Sequence, residues 1–231
     1  MRNKKFAFTM AEVLITLGVV GVVAVLTLPS VIQKQKEKIT VNRLKSAYSI
    51  ISQAFARTIS ENGTPDTWGM GGMRESQSQI IMGNAFVPYL KISKNCIGQT
   101  QKYTMQNCDA VHSDTASYSS IVLGNGMTLL FRSFNPNCTS KQYYPETCGY
   151  IFVDINGRQK PNESGKDRFG FWVTKTKIVP SGTKGAKYSF NKYCNLETSE
   201  MSACTAWVLY NENMDYLHCT GLDWNSKTKC K

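Results

Sequence analysis

Histidine is almost missing from this chain, which has only His112 and His218. Its eight cysteines nowhere form a C-x-x-C pair, and structural zinc needs clustered Cys and His ligands. A zinc-held fold is therefore excluded. Neither histidine has an acid and a nucleophile evident around it. His112, Ser113 and Asp114 are chain neighbours, but catalytic triads are assembled in space, not along the sequence. The expectation is that the protein is not an enzyme. Long low-complexity segments and internal repeats are also lacking, so the chain should fold around one core, with or without an appendage.

Charge is absent from a further stretch. Residues 13–32 carry no charged side chain. About 20 apolar residues cross a hydrocarbon core of about 30 Å as a helix, and Val, Leu and Ile with Thr, Gly and Ser suit a spanning segment. A cleaved signal peptide wants about 7–15 apolar residues and then small residues at the cut. Here QKQKEK follows, with no such site. Basic residues flank the run on both sides, Arg2, Lys4 and Lys5 before it and Lys34, Lys36 and Lys38 after it. Flanking charge thus leaves the orientation open.

The cysteines decide it. They fall in four close pairs, and neighbour pairing is the simplest connectivity: Cys96–Cys108, Cys138–Cys148, Cys194–Cys204 and Cys219–Cys230. Loops of this size contribute about 3 kcal/mol each in the chain-entropy model. Disulfides require an oxidising compartment. The part after Ile32 is then outside the cytoplasm and the N-terminus inside.

One acid, Glu12, stands at the edge of the apolar run. A charge within a bilayer is costly and usually marks a function; the plainer alternative puts Glu12 at headgroup level. The segment KKFAFTMAEVLITLGVVGVVAVLTLP resembles the N-terminus of type IV pilins and type II secretion pseudopilins. The resemblance rests on the basic residues, Phe8, Glu12, Gly21 and Pro29 at their spacings. Ala7 stands where the family usually has Gly, and Met10-Ala11 replaces the usual apolar pair before the Glu. The resemblance implies cleavage between Ala7 and Phe8 by a prepilin peptidase on the cytoplasmic face, then N-methylation of Phe8. Glu12 becomes the fifth residue of the mature chain, and its carboxylate would neutralise the Phe8 amine of a neighbouring copy. Gly21 and Pro29 fall where the family loosens its helix. The implied partners are copies of the chain or other pilin-like subunits, an inner-membrane assembly platform and membrane lipid.

Beyond Pro29 the helix should continue. Val41, Leu44, Tyr48, Ile51, Phe55 and Ile59 recur at spacings of 3 and 4, an amphipathic stripe, and Asn62-Gly63 signals the end. A short helix is expected over 76–92, packing Ile80, Ile81, Phe86 and Leu90, then a stapled loop over 94–115. Strands are expected at 118–123, 127–132, 150–155, 169–174 and 177–179, with Gly124-Asn125-Gly126 as a hairpin signal. A last short helix should run from a cap at Thr198 or Ser199 to about Leu209, burying Trp207 and Leu209. The pattern gives an α+β class with an antiparallel sheet; the long helix lying across that sheet comes from the resemblance. The organisation reads as a leader over 1–7, a membrane and assembly helix over 8–32, its amphipathic continuation over 33–62 and an extracytoplasmic domain over 63–231.

Asp154, Asn156, Asn162 and Asp167 offer oxygens within one loop. Calcium takes six to eight oxygen ligands, and the loop loosely resembles calcium loops of some pseudopilins. It lacks the final acid of an EF-hand. The alternative is a turn at Asn156-Gly157 with polar connectors. The formal charge is +11, and loss of Arg2, Lys4 and Lys5 with the leader lowers it to +8. The basic residues are spread along the chain without a dense cluster of interleaved aromatics. A solvated basic surface explains that; a second reading is a membrane-anchored or filament-tip module binding DNA, a glycan or a surface.

Mass spectrometry of the membrane-extracted protein is expected to find a chain beginning at methylated Phe8. An intact leader would contradict the processing expectation.

Overall fold

Helix α1 runs over Met10–Asn62 in a computed structural model that describes residues 9–72, 75–98, 118–141, 143–157, 159–196 and 201–230. Pro29 lies inside it, at the cost of one helix hydrogen bond. Nearby hydroxyls fold back onto the helix: Thr27 Oγ1 donates to Val23 O and Ser30 Oγ to Thr27 O, both at 2.9 Å. The end is set by Gly63, whose φ of +74° is the left-handed cap glycine accepts without strain. Its N–H donates to Ile59 O at 3.1 Å.

The chain divides into two compact units, Met1–Ile39 and Thr40–Lys231. In the first, the described side chains of α1 are almost all exposed. In the second, α1 buries Val41, Leu44, Ala47, Ile51, Ala54, Phe55 and Thr58, the expected period of 3 and 4. Tyr48 and Ile59 sit half-buried at the stripe's edge. Ala47 and Ala54 take places at its centre, where small side chains leave room for the neighbouring elements.

Six strands form one sheet: β1 Ile92–Asn95, β2 Ser119–Leu123, β3 Thr128–Ser133, β4 Thr147–Asp154, β5 Arg168–Thr174 and β6 Ile178–Pro180. They pair in sequence order, each antiparallel to the next. Alternation puts Ile121, Leu129, Phe131, Ile151, Val153, Phe169, Phe171 and Val173 into one core with the α1 stripe. Tyr48 stacks on Phe171 at 5.6 Å. Phe86, from α2 (Ser76–Phe86), sits between Phe55 at 5.9 Å and Phe131 at 5.1 Å. Burying such a side chain stabilises by about 1.5–3 kcal/mol. Gln79, also buried, locks α2 to the sheet: its Oε1 accepts from Ser133 N and its carbonyl from Ser119 Oγ, both at 2.5 Å.

The α+β expectation, a long helix packed on an antiparallel sheet, matches this architecture. Some elements differ. The helix expected over 76–92 ends at Phe86, because Pro88 cannot donate to a continuing helix. Val87–Tyr89 forms a 3₁₀ turn instead, and Ile92–Asn95 becomes β1 on β2. Of the expected packing set, Phe86 is buried in the core and Ile81 and Leu90 pack half-buried against it; Ile80 is half-buried without joining it, and Met82 is buried there instead. β4 begins at Thr147 rather than Tyr150, since Gly149 already pairs with Ser133 and Val173. Two short helices follow the sheet, α3 Phe190–Tyr193 and α4 Thr205–Asn211. The expected cap residues Thr198 and Ser199 lie outside the described residues. α4 starts late because the backbone before it is engaged elsewhere: Ala203 N donates to Tyr193 O at 2.9 Å and Ser202 O accepts from Ser181 Oγ at 3.0 Å. Trp207 is fully buried, stacking on Phe190 at 4.1 Å, and Leu209 is half-buried.

Three bridges join neighbours as expected, Cys138–Cys148, Cys194–Cys204 and Cys219–Cys230. Cys96 is disulfide-bonded too; its expected partner, Cys108, lies outside the described residues.

The second sheet face carries an aromatic layer around Tyr150 and Trp172. Gly170 of β5 makes room for it, since a Cβ there would collide with the Tyr150 hydroxyl. That phenol is buried, which raises its pKa far above the ordinary value. Gly170 cannot step aside, because its N–H donates to Thr205 Oγ1 at 2.9 Å and its carbonyl accepts from Ser181 N at 2.9 Å. Gly170→Ala is expected to lower stability by about 1–3 kcal/mol in urea unfolding. Unchanged stability would mean the layer is looser than described.

Candidate functional site

Thr9 and Glu12 open α1 with a reciprocal cap. Glu12 Oε2 accepts from Thr9 N and from Thr9 Oγ1, both at 2.8 Å, while Glu12 N donates to Thr9 Oγ1 at 3.2 Å. This is a capping box, in which the third helical residue answers the hydroxyl before the helix. The sequence reading passed over it, although Thr9-Met10-Ala11-Glu12 has the S/T-x-x-E spacing that signals one. The carboxylate also lies at the positive end of the helix dipole, which favours it.

Residues 13–32 of the first unit present apolar surface on every side, before the polar run 33–38. Leu14, Ile15, Leu17, Val25 and Leu26 are exposed, and nothing lies within 4 Å of a Cβ added to Gly21. Gly21 and Pro29 therefore answer no packing need within the described chain. Pro29 borders a shallow groove with Val25, Leu28 and Ile32. By length and composition α1 is apolar enough to cross a membrane, a property it shares with signal sequences. Ala7 and Phe8 lie outside the described residues.

The loop between β4 and β5 gathers the four oxygen-bearing residues named as calcium ligands. Its ends are pinched where Ile155 N donates to Asp167 O at 3.0 Å. Asp167 Oδ1 accepts from Glu163 N at 2.7 Å; its Oδ2 accepts from Asn162 N at 2.7 Å and Asn156 Nδ2 at 3.1 Å. Asp154 is fully buried and pairs with Arg168 Nε at 3.2 Å. Its other oxygen accepts from Asn156 N at 3.2 Å. With the Asn162 amide oriented to satisfy its neighbours, Nδ2 donates to Asp154 Oδ2 at 2.9 Å and Gly157 O at 3.2 Å. The four residues do come together, but their carboxylates face N–H donors and a guanidinium. Calcium needs converging, unoccupied oxygens, and no group of three metal-ligating acids, cysteines or histidines occurs among the described residues. The donor set does not fit a cation. It fits the alternative of a turn held by polar connectors, although that turn is a long loop over 155–167 rather than a tight hairpin. Gly157, with φ of +67°, packs against Gly126 O of the β2–β3 turn.

Of the two histidines, His112 lies outside the described residues and His218 follows the 3₁₀ turn Asp215–Leu217.

Fold and site together define an α+β protein with an exposed apolar N-terminal helix segment and a disulfide-stapled sheet domain. The chain belongs to a protein family of unknown function, DUF6613, which it matches over residues 30–215. No curated protein and no solved structure matches it.

Arg168→Met removes the cation facing a buried carboxylate, a change that costs about 3–5 kcal/mol. Chemical unfolding should show that loss, and millimolar calcium should leave the wild-type thermal midpoint unmoved. A rise of several degrees with calcium would overturn the assignment of this loop as a self-satisfied network.

Proposed function

We propose that the chain is a structural subunit of a type IV pilus or type II secretion-like filament, a pilin or pseudopilin that assembles through its N-terminal helix. The observation that carries this reading is the exposed apolar segment of α1 with Glu12 at its head. Such a surface has no partner among the described residues, and lipid or the helices of other copies would supply one. The protein would first sit in the inner membrane, single-pass, with its N-terminus in the cytoplasm and the disulfide-bonded domain outside. Prepilin peptidase would cut between Ala7 and Phe8, and the assembly platform would receive the mature subunit.

Glu12 then has two tasks. In the dispersed chain its carboxylate is held by Thr9, which lessens the insertion penalty of about 2.5–3.5 kcal/mol for an acid in hydrocarbon. In the filament it would meet the Phe8 amine of the next copy, a contact strengthened by low dielectric. Gln also serves in a capping box but carries no charge. The two tasks can therefore be separated.

Glu12→Gln should be processed and inserted like wild type yet enter filaments at least about tenfold less, the effect of losing roughly 1.4 kcal/mol or more of pairing. Glu12→Ala should lose both cap and incorporation. Wild-type incorporation of Glu12→Gln in sheared-filament immunoblots would reduce Glu12 to a helix cap.

A further inference from the structure

Beside α1, within the second unit, the fold leaves a groove that the filament reading does not use. Its volume is about 480 Å³, inside the range of about 300–1,000 Å³ that small-molecule sites occupy. Ile50, Ala54 and Arg57 follow one another at helical spacing along one side of α1 and form one wall. The other wall comes from Tyr89 and Lys91, just before β1, and from the β2–β3 turn at Leu123 to Asn125. Ala54 contributes only a methyl group and Gly124 no side chain, so neither fills the space between the walls. Ala54 and Leu123 are buried and Ile50 is half-buried, which makes the inner lining apolar. The rim is cationic. Arg57 and Lys91 are exposed, and their side chains make no hydrogen bond or ion pair with any described residue. Glu61, one turn beyond Arg57, accepts from the Tyr89 hydroxyl at 2.7 Å and pairs with neither cation. Asn125 Oδ1 accepts from Met127 N at 3.2 Å, which orients the amide so that its Nδ2 is a further donor.

We propose that this groove binds a small organic acid, an apolar body carrying a carboxylate, with Arg57, Lys91 and Asn125 meeting the head and Ile50, Ala54 and Leu123 the body. Charge complementarity carries the choice. No carboxylate lines the groove, and unpaired cations at the mouth of an apolar hollow suit an anionic head on an apolar body. A neutral apolar ligand leaves Arg57 and Lys91 unanswered. Acetate or inorganic phosphate answers them but leaves the apolar lining wet. A nucleotide brings a polar base edge against Ile50, Ala54 and Leu123, whose side chains offer it no hydrogen-bond partner. The walls all belong to the second unit of one chain, so the proposal goes beyond the filament reading and does not rest on it.

The test is fluorine NMR of 4-(trifluoromethyl)benzoate titrated into the full chain in detergent micelles, with protein-free micelles as the reference for partition into detergent. A saturable shift or broadening beyond that reference is expected at millimolar ligand. The matching neutral amide, 4-(trifluoromethyl)benzamide, should bind about fivefold more weakly, and neither acetate nor AMP at equal concentration should displace the benzoate. Arg57→Gln with Lys91→Gln changes only exposed side chains and should weaken benzoate binding about fivefold, with circular dichroism and thermal midpoint unchanged. Lys177→Gln with Lys192→Gln removes the same charge from exposed positions outside the groove and should bind as wild type. No saturable response, equal binding of the amide, displacement by AMP or acetate, or an equal loss in both double variants would each overturn the proposal. Because binding is read on the dispersed chain, failure of filament assembly would not affect the outcome.

Discussion

The contact between the 40–62 part of α1 and the core face of the sheet is what the rest of the structure depends on. Leu44, Ile51 and Phe55 enter the same core as Ile121, Phe131, Ile151 and Phe171. Each large side chain moved out of water there stabilises by about 1.5–3 kcal/mol. The seal is supplemented by two polar ties, Arg43 Nη1 to Ile155 O at 3.1 Å and Thr58 Oγ1 to Ala85 O at 3.0 Å. Without the helix, one face of the antiparallel sheet would stand open as a large apolar patch, which a soluble domain does not tolerate.

The same helix changes character along its length. From Val41 onward it buries one stripe, whereas residues 13–32 are apolar around the whole circumference. A helix apolar on all sides requires an apolar surrounding. Glu12 suits that surrounding better than a bare acid would, because Thr9 donates two hydrogen bonds to its Oε2. The proposed assembly exchanges this internal partner for an amine from a neighbour. It thereby turns a helix cap into a register mark, and that exchange explains why an acid would persist at the head of an apolar run.

Much of the architecture was legible because it is written in local periods. The 3–4 spacing of Val41, Leu44, Ile51 and Phe55, the alternation in β3 to β5 and the Gly124-Asn125-Gly126 turn each needed only a few neighbouring residues. Neighbouring cysteines likewise announced three bridges. What was not legible depended on distant partners. β1 escaped notice because its strand character comes from pairing with β2. For the Asp154–Asp167 loop a calcium site stood open beside a polar turn, because sequence lists its oxygens without the Arg168 guanidinium and backbone N–H groups that face them. The aromatic layer was invisible as a cluster because Tyr150, Trp172 and Tyr188 meet only across the folded sheet. The Thr9–Glu12 box is a different case: its Thr-x-x-Glu spacing is local and legible in the sequence itself.

The central claim is that the apolar head of α1 packs against the same segment of other copies. The most direct measurement is photo-crosslinking from a photoreactive residue at position 15, where Ile15 is exposed, in native membranes and sheared extracellular material. The account predicts a ladder of multimers whose crosslinked peptides join position 15 to the N-terminal segment of another copy. Adducts to lipid alone, in both fractions, would contradict it.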